Sequence, residues 1–274
     1  LFFVLYYLDP HTYDDPPAPY DVKYDSTYTG TLTAEVYGHG QDVVSGDIVP
    51  SQRDIEHLIA LYDGEINYWD FELGKMLMVL EDKGVLDNSI IVITSDHGQM
   101  FGEHGKWAHR NSLYEEVVRV PLLMSYPGTI NAGQVLTAPV HMMDITPTLL
   151  DMVGITAPSH MDGQSLLPQM QGGAAPEGRP IFSEMAGETD PNSDAYWIAP
   201  RTDLYSVKRE GWKLIHARQA PQQDELYDVR QSSLYEQENL VSQEPEKSAE
   251  LFQELQDWFD VPTQFLFLPI ANSK

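Results

Sequence analysis

Ile90-Ile91-Val92-Ile93-Thr94, running straight into Ser95-Asp96-His97-Gly98, is the stretch from which the fold reads outward. The apolar run is bounded by Asn88 and the Asp-His-Gly turn. It is too short for a helix and rich in β-branched side chains, so it predicts a buried strand. In open α/β sheets, ligands sit beyond the carboxyl ends of the strands. Asp96 and His97 therefore stand where an anion or metal site would be built. A carboxylate offers a hard oxygen ligand, and an imidazole offers a nitrogen ligand or a hydrogen-bond donor. On these two residues alone, an N-capping Asp beside a surface His fits as well.

To either side, residues 1–154 alternate strand and helix patterns. Leu1-Phe2-Phe3-Val4-Leu5-Tyr6-Tyr7 has the composition of an interior strand, with His11 just beyond it at the same edge of the sheet as His97. Residues 12–52, with Asp14-Asp15-Pro16-Pro17-Ala18-Pro19, form a polar insertion longer than an ordinary connection, as lids and binding loops are. Residues 53–83 space Ile55, Leu58, Ile59, Tyr62, Ile66, Trp69, Leu73, Met76, Leu77 and Leu80 as a helix does. Glu56, Asp63, Glu65, Asp70, Glu72 and Lys75 make its polar face, and Gly84 ends it. Pro121-Leu122-Leu123-Met124 predicts a second strand. Thr146 before Pro147 predicts an N-cap and first turn of a short helix ending near Gly154. His141 and Asp144 beside it are expected to be structural.

Gly172-Gly173-Ala174-Ala175-Pro176-Glu177-Gly178 reads as a loop or linker. Beyond it the pattern changes. Pro180-Ile181-Phe182-Ser183-Glu184 predicts a strand, residues 203–217 a hairpin turning at Arg209-Glu210-Gly211, and Glu225-Leu226-Tyr227-Asp228 a further strand. Leu251, Phe252, Leu255 and Phe259 fall at helical spacing. The expected division is an α/β unit over 1–172 and a small α+β subdomain with an antiparallel sheet over 173–274.

The 274 residues are 42% hydrophobic, ample for a core, and carry a formal net charge of −26. That charge argues against nucleic acid and anionic membranes, which select Lys/Arg-rich faces. An acidic, solvated surface accounts for it, and any anion pocket must be made locally positive by metal and basic side chains. There is no cysteine, hence no disulfide, which leaves the compartment open. The seven apolar or aromatic residues at the start fall far short of the roughly 20 that span a bilayer.

Taken in order, the motifs resemble the sulfatase family of the alkaline-phosphatase-like superfamily. The likeness runs from Leu8-Asp9-Pro10-His11 through Tyr62-Asp63-Gly64-Glu65-Ile66-Asn67-Tyr68-Trp69-Asp70, Ser95-Asp96-His97-Gly98 and Gly102-Glu103-His104-Gly105. It continues through Asn111-Ser112-Leu113-Tyr114-Glu115-Glu116-Val117-Val118-Arg119-Val120-Pro121-Leu122-Leu123 and Asp144-Ile145-Thr146-Pro147-Thr148-Leu149-Leu150 to Glu225-Leu226-Tyr227-Asp228. The resemblance implies an α/β fold, an alkaline-phosphatase-like sandwich with a mixed sheet flanked by helices. It implies hydrolysis of sulfate esters, on a sulfated small molecule or glycan, with a divalent metal, Ca²⁺ by preference, and a formylglycine nucleophile. Asp96 would ligate the metal, with His97 completing the shell or lying against the sulfate. His11 would touch the sulfate and act as a general base. His109 would bind sulfate or stabilise the leaving oxygen, with Lys106 as competitor for that role. His104 is expected to be structural.

The chain departs from the pattern where the family carries its nucleophile. Neither Cys-x-Pro-x-Arg nor Ser-x-Pro-x-Arg occurs, and the family's paired N-terminal aspartates are absent. With no initiator Met and no signal-peptide pattern, the chain reads as the C-terminal part of a longer sulfatase, inactive by itself. A periplasmic or secreted location follows from the resemblance only. A phosphonate or phosphate ester hydrolase of the same superfamily is the alternative. A non-catalytic relative that binds a partner or glycan is the other.

Overall fold

Ser51 opens the longest element. Its hydroxyl accepts the Asp54 N–H at 3.3 Å while the Asp54 carboxylate accepts the Ser51 N–H at 2.8 Å, a reciprocal cap that satisfies two otherwise orphan donors. Helix α1 then runs over Gln52–Asp82 and stops at Gly84, whose φ of 65° suits a residue without a Cβ. The computed structural model describes residues 1–11, 16–32, 43, 47–109, 112–187, 202–230 and 236–260. Residues 12–15, 33–42 and 44–46 of the polar insertion lie outside these, as does the Phe259 side chain. The described remainder of the insertion docks on α1. Tyr28 stacks on His57 at 3.7 Å, and Asp25 pairs with Arg53 and His57.

The expected two faces of α1 are only partly kept. Leu58, Leu61 and Leu73 are buried, whereas Ile59, Ile66, Phe71, Met78 and Val79 are exposed. Glu65, assigned to the polar face, is 2% exposed: two turns after the buried Leu58, it falls on the same side of the helix.

Strand β1 is Ile91–Thr94, half-buried rather than buried, and pairs antiparallel with β4, Leu122–Ser125. Between them lie the short β2 (Met100–Phe101) and β3 (Trp107–Ala108), an antiparallel pair, and the one-turn helix α2 (Glu115–Val118). Of the expected mixed sheet, the strands paired among the described residues are antiparallel. Residues 1–8 form no strand, and Leu1 to Leu8 are exposed along their length. This corrects the reading of an interior strand: none of the described strands runs beside the segment to take up its hydrogen bonds.

Helix α3 is Ile145–Met152, so Thr146 lies inside it and is not its N-cap. A 3₁₀ turn over Met142–Asp144 leads in, itself capped by the Asp144 carboxylate, which accepts the His141 N–H at 2.8 Å, and Asp144 then stands at the N-cap of α3 without a side-chain cap bond to it. Asp144 is fully buried, gripped by Arg179 at 2.7 and 2.8 Å and by the Gln164 N–H at 2.8 Å. The one-turn helix α4, Leu167–Met170, follows.

Strands β5 (Ile181–Met185), β6 (Leu204–Arg209), β7 (Trp212–Ala217) and β8 (Glu225–Asp228) form an antiparallel sheet in chain order. Glu210 and Gly211, both at positive φ, make the two-residue β6–β7 turn, whose twist matches the flanking strands. Helix α5 (Pro245–Asp260) covers one face, packing Leu251 and Leu255 on Val207, Leu214 and Leu226. The side chains that alternate with these lie on the opposite face. There Ile215 and Tyr227 join Leu113, Tyr114 and Val117 of the first unit in one core.

Candidate active site

At Thr94 strand β1 ends and the chain turns. The Ser95 hydroxyl donates to the His97 carbonyl at 2.6 Å, and Asp96 Oδ1 accepts the His97 N–H at 3.0 Å. The turn is held from behind by α2. Gly98 N–H donates to Val117 O at 2.7 Å, and a Cβ at position 98 would stand 2.1 Å from the Glu116 carbonyl oxygen. Glycine is therefore required there by close approach.

Asp96 projects outward, its side chain 56% exposed, and Oδ2 accepts the Tyr6 hydroxyl at 3.2 Å. Partial burial works against its ionisation, but His97, the Tyr6 hydroxyl and the His97 amide outweigh it and hold the carboxyl below its usual range. The Asp96 charge in turn pushes the Tyr6 phenol up.

His97 Nδ1 lies 2.8 Å from the Gly98 carbonyl. A carbonyl can only accept, so Nδ1 carries the proton and the neutral ring presents its lone pair at Nε2. Nε2 is 3.8 Å from Asp96 Oδ2. The ring stacks on His109 with centroids 3.9 Å apart and 18° between planes. His109 Nδ1 meets the Gln99 amide oxygen at 3.1 Å, and the His11 ring packs against His109 at 5.7 Å. Asp96, His97, His109 and His11 are thus brought together. His11 arrives from an exposed turn closed by its own N–H on Leu8 O at 2.6 Å, not from the end of a buried strand.

Lys106 is placed differently. Burial pushes its ammonium down, and the opposing influence is Glu225 of β8. Glu225 also accepts the hydroxyls of Tyr114 at 2.7 Å and Tyr227 at 2.6 Å. His104 stacks on Tyr114 at 3.9 Å and meets Glu116 at 3.3 Å.

Among the described residues, two sets of side chains could hold a cation. Asp96 Oδ2 and His97 Nε2 are close enough for one ion to bridge, with the imidazole fixed through its other nitrogen as ligating histidines commonly are. Ca²⁺ takes six to eight oxygens, so this pair fits as part of a shell. The second set is His104, Glu116 and Glu236, whose ligand atoms lie within 4.8 Å of one another. There the Lys213 ammonium already stands 2.7 Å from Glu236, so that carboxylate has a fixed counter-charge. Sequence reasoning missed Tyr6, Gln99 and Glu236. Gln99 adjoins the Asp-His-Gly turn and could have been found there; the other two carry no pattern. Two residues before His11, Asp9 lines an open cavity of about 440 Å³ with Tyr7, Trp69 and Lys75.

The family model Sulfatase matches residues 1–155, and that of N-sulphoglucosamine sulphohydrolase, C-terminal, matches 102–260. The chain is 30% identical over 227 residues to the N-acetylglucosamine-6-O-sulfatase of Bacteroides thetaiotaomicron, covering 80% of this chain and 37% of that protein. A solved structure of a protein in complex with its substrate D-glucosamine-2-N,6-O-disulfate superposes with a TM-score of 0.65 at 27% identity, over 82% of this chain and 46% of that one. The phosphonate monoester hydrolase from Silicibacter pomeroyi gives 0.68 at 27% identity, over 89% of this chain and 52% of that one. The chain thus spans about half or less of the proteins it matches, and its fold is alkaline-phosphatase-like. Among the described residues no helix is long and apolar enough to cross a membrane.

Proposed function

Because the chain belongs to the sulfatase family, we propose that it carries the cation and oxyanion edge of a sulfate ester hydrolase together with that enzyme's C-terminal subdomain. On this reading 1–172 is part of the catalytic α/β unit and 173–274 the α+β subdomain, and the enzyme works in the periplasm or outside the cell. The observation that carries it is the convergence of Asp96, His97, His109 and His11 at the end of β1.

Asp96 and His97 would hold Ca²⁺, which when bound neutralises charge on the ester oxygens, while the family's formylglycine supplies the nucleophile. These 274 residues contain no motif for that nucleophile, so by themselves they are expected to be inactive. His11, at the exposed rim of the cluster, accepts a proton as general base. His109, oriented through Nδ1 by Gln99, presents Nε2 toward the substrate. As an imidazolium it stabilises the oxygen being expelled. Lys106 is the second candidate for that last role. The substrate class we favour is a sulfated amino sugar, in line with the relative's name and the neighbour's bound disulfate.

The phosphonate monoester hydrolase at a TM-score of 0.68 keeps phosphoryl chemistry as the second reading, since its tetrahedral oxyanion is of similar size. Fusing these residues to the formylglycine-bearing portion of the Bacteroides thetaiotaomicron relative and assaying an aryl sulfate against a phosphonate monoester separates the two. We expect sulfate ester cleavage that is lost in Asp96→Ala. Preferential phosphonate cleavage would favour the second reading, and activity indifferent to Asp96 would contradict both.

A further inference from the structure

Lys208 and Lys213 stand directly opposite each other on β6 and β7, on the sheet face away from α5. Like charges in that register repel, and the Lys213 side chain is only 1% exposed. One carboxylate resolves the conflict. Glu115 accepts Lys208 Nζ at 2.6 Å on Oε2 and Lys213 Nζ at 3.0 Å on Oε1. Glu236 completes the group: Oε1 is 2.7 Å from Lys213 Nζ, and Oε2 accepts the Glu115 backbone N–H at 2.7 Å. Two cations and two anions thus close on themselves between the C-terminal sheet and the first residue of α2.

The other end of this one-turn helix holds the candidate site. Val117 O takes the Gly98 N–H at 2.7 Å, and the Glu116 carbonyl fills the space a Cβ on Gly98 would need. So short a helix has little slack between its ends. Buried ion networks can often be replaced by apolar groups without loss of stability, so stability alone is a weak reason for one here. We propose that Glu115, Lys213 and Glu236 are positioning residues, through which the C-terminal sheet sets the placement of the Asp96–His97 turn by way of α2. This rests on the reading of that turn as the cation edge.

The test uses the 274-residue chain without added metal. It follows exchange of the Gly98 amide, together with the positions of the His97 imidazole resonances at constant pH. In the neutral triple variant Glu115→Gln/Lys213→Met/Glu236→Gln we expect a preserved cooperative unfolding transition. Its Gly98 amide should exchange about tenfold faster or more, as loss of one charged tether produces, and its His97 imidazole resonances should be displaced at constant pH. Lys213→Arg should retain the wild-type behaviour of both. A folded triple variant with wild-type Gly98 exchange and wild-type His97 resonances overturns the proposal. A triple variant that does not fold also overturns it, because the network then serves stability and not placement. Neither readout needs Ca²⁺ or turnover. Failure of the catalytic reading would show instead as a wild-type chain whose His97 ignores Ca²⁺.

Discussion

His97 and His109 lie ring on ring at 3.9 Å, and the Nδ1 of each is fixed by a different acceptor, the Gly98 carbonyl and the Gln99 amide oxygen. On the proposed reading His97 serves the cation beside Asp96 and His109 the substrate. In the fused, active enzyme, His109→Ala should lower kcat/KM by about 10²–10⁴-fold and steepen its dependence on leaving-group pKa. His11→Ala should lower turnover with that dependence unchanged. A series of aryl sulfates measures both. If Lys106→Ala steepens the dependence and His109→Ala does not, the leaving-group role belongs to Lys106. His11, Asp96 and His97 were legible as candidates because two short motifs, Asp9-Pro10-His11 and Asp96-His97-Gly98, each carry their chemistry in adjacent residues. Tyr6 and Glu236 were not, since each reaches its partner across a long stretch of chain and sits in an otherwise apolar or acidic surrounding.

At the scale of elements, the His141–Asp144 turn at the head of α3 shows how far pattern reading goes. Thr-Pro resembles a helix start, but the buried Asp144–Arg179 pair decides where this helix begins, and its partner lies 35 residues away. The β6–β7 hairpin was legible because Glu210-Gly211 specifies its turn locally. Helix α1 was legible by its period, but Glu65 falls on its buried side with Leu58. Burial opposes ionisation of Asp144, but Arg179 and the Gln164 and His141 amides outweigh it and depress the carboxyl below its usual value. The resulting stabilisation is present above the unfolded-state value of about 4 and is lost as pH falls through the lower folded-state value. Asp144→Asn, which leaves Arg179 without its buried partner, should therefore cost about 3–5 kcal/mol at pH 7. In denaturant unfolding the gap to wild type should narrow as pH is lowered toward 3. A gap that stays constant with pH would mean that the Asp144 charge is not what holds the turn.

Over the whole molecule, a net charge of −26 surrounds the site proposed to take an anion. On that reading a sulfated substrate would be repelled at long range and attracted only within the pocket, so screening should help it to arrive. In the fused enzyme, KM for a sulfated sugar should fall as ionic strength rises from about 10 to 150 mM, where the Debye length shrinks from about 30 to 8 Å. A rise would mean that the local positive field extends beyond the pocket. The central claim, that the cluster at the end of β1 is a cation and oxyanion edge, is tested most directly by imidazole resonances of the 274-residue chain. These are followed during titration with Ca²⁺ and then with glucosamine 6-sulfate. The account predicts that His97 responds first, at Ca²⁺ concentrations well above micromolar because the shell is partial. His109 and His11 should follow on addition of the sulfated sugar, and all three responses should vanish in Asp96→Ala. Responses confined to His104, or shifts at His97 that survive in Asp96→Ala, would contradict it.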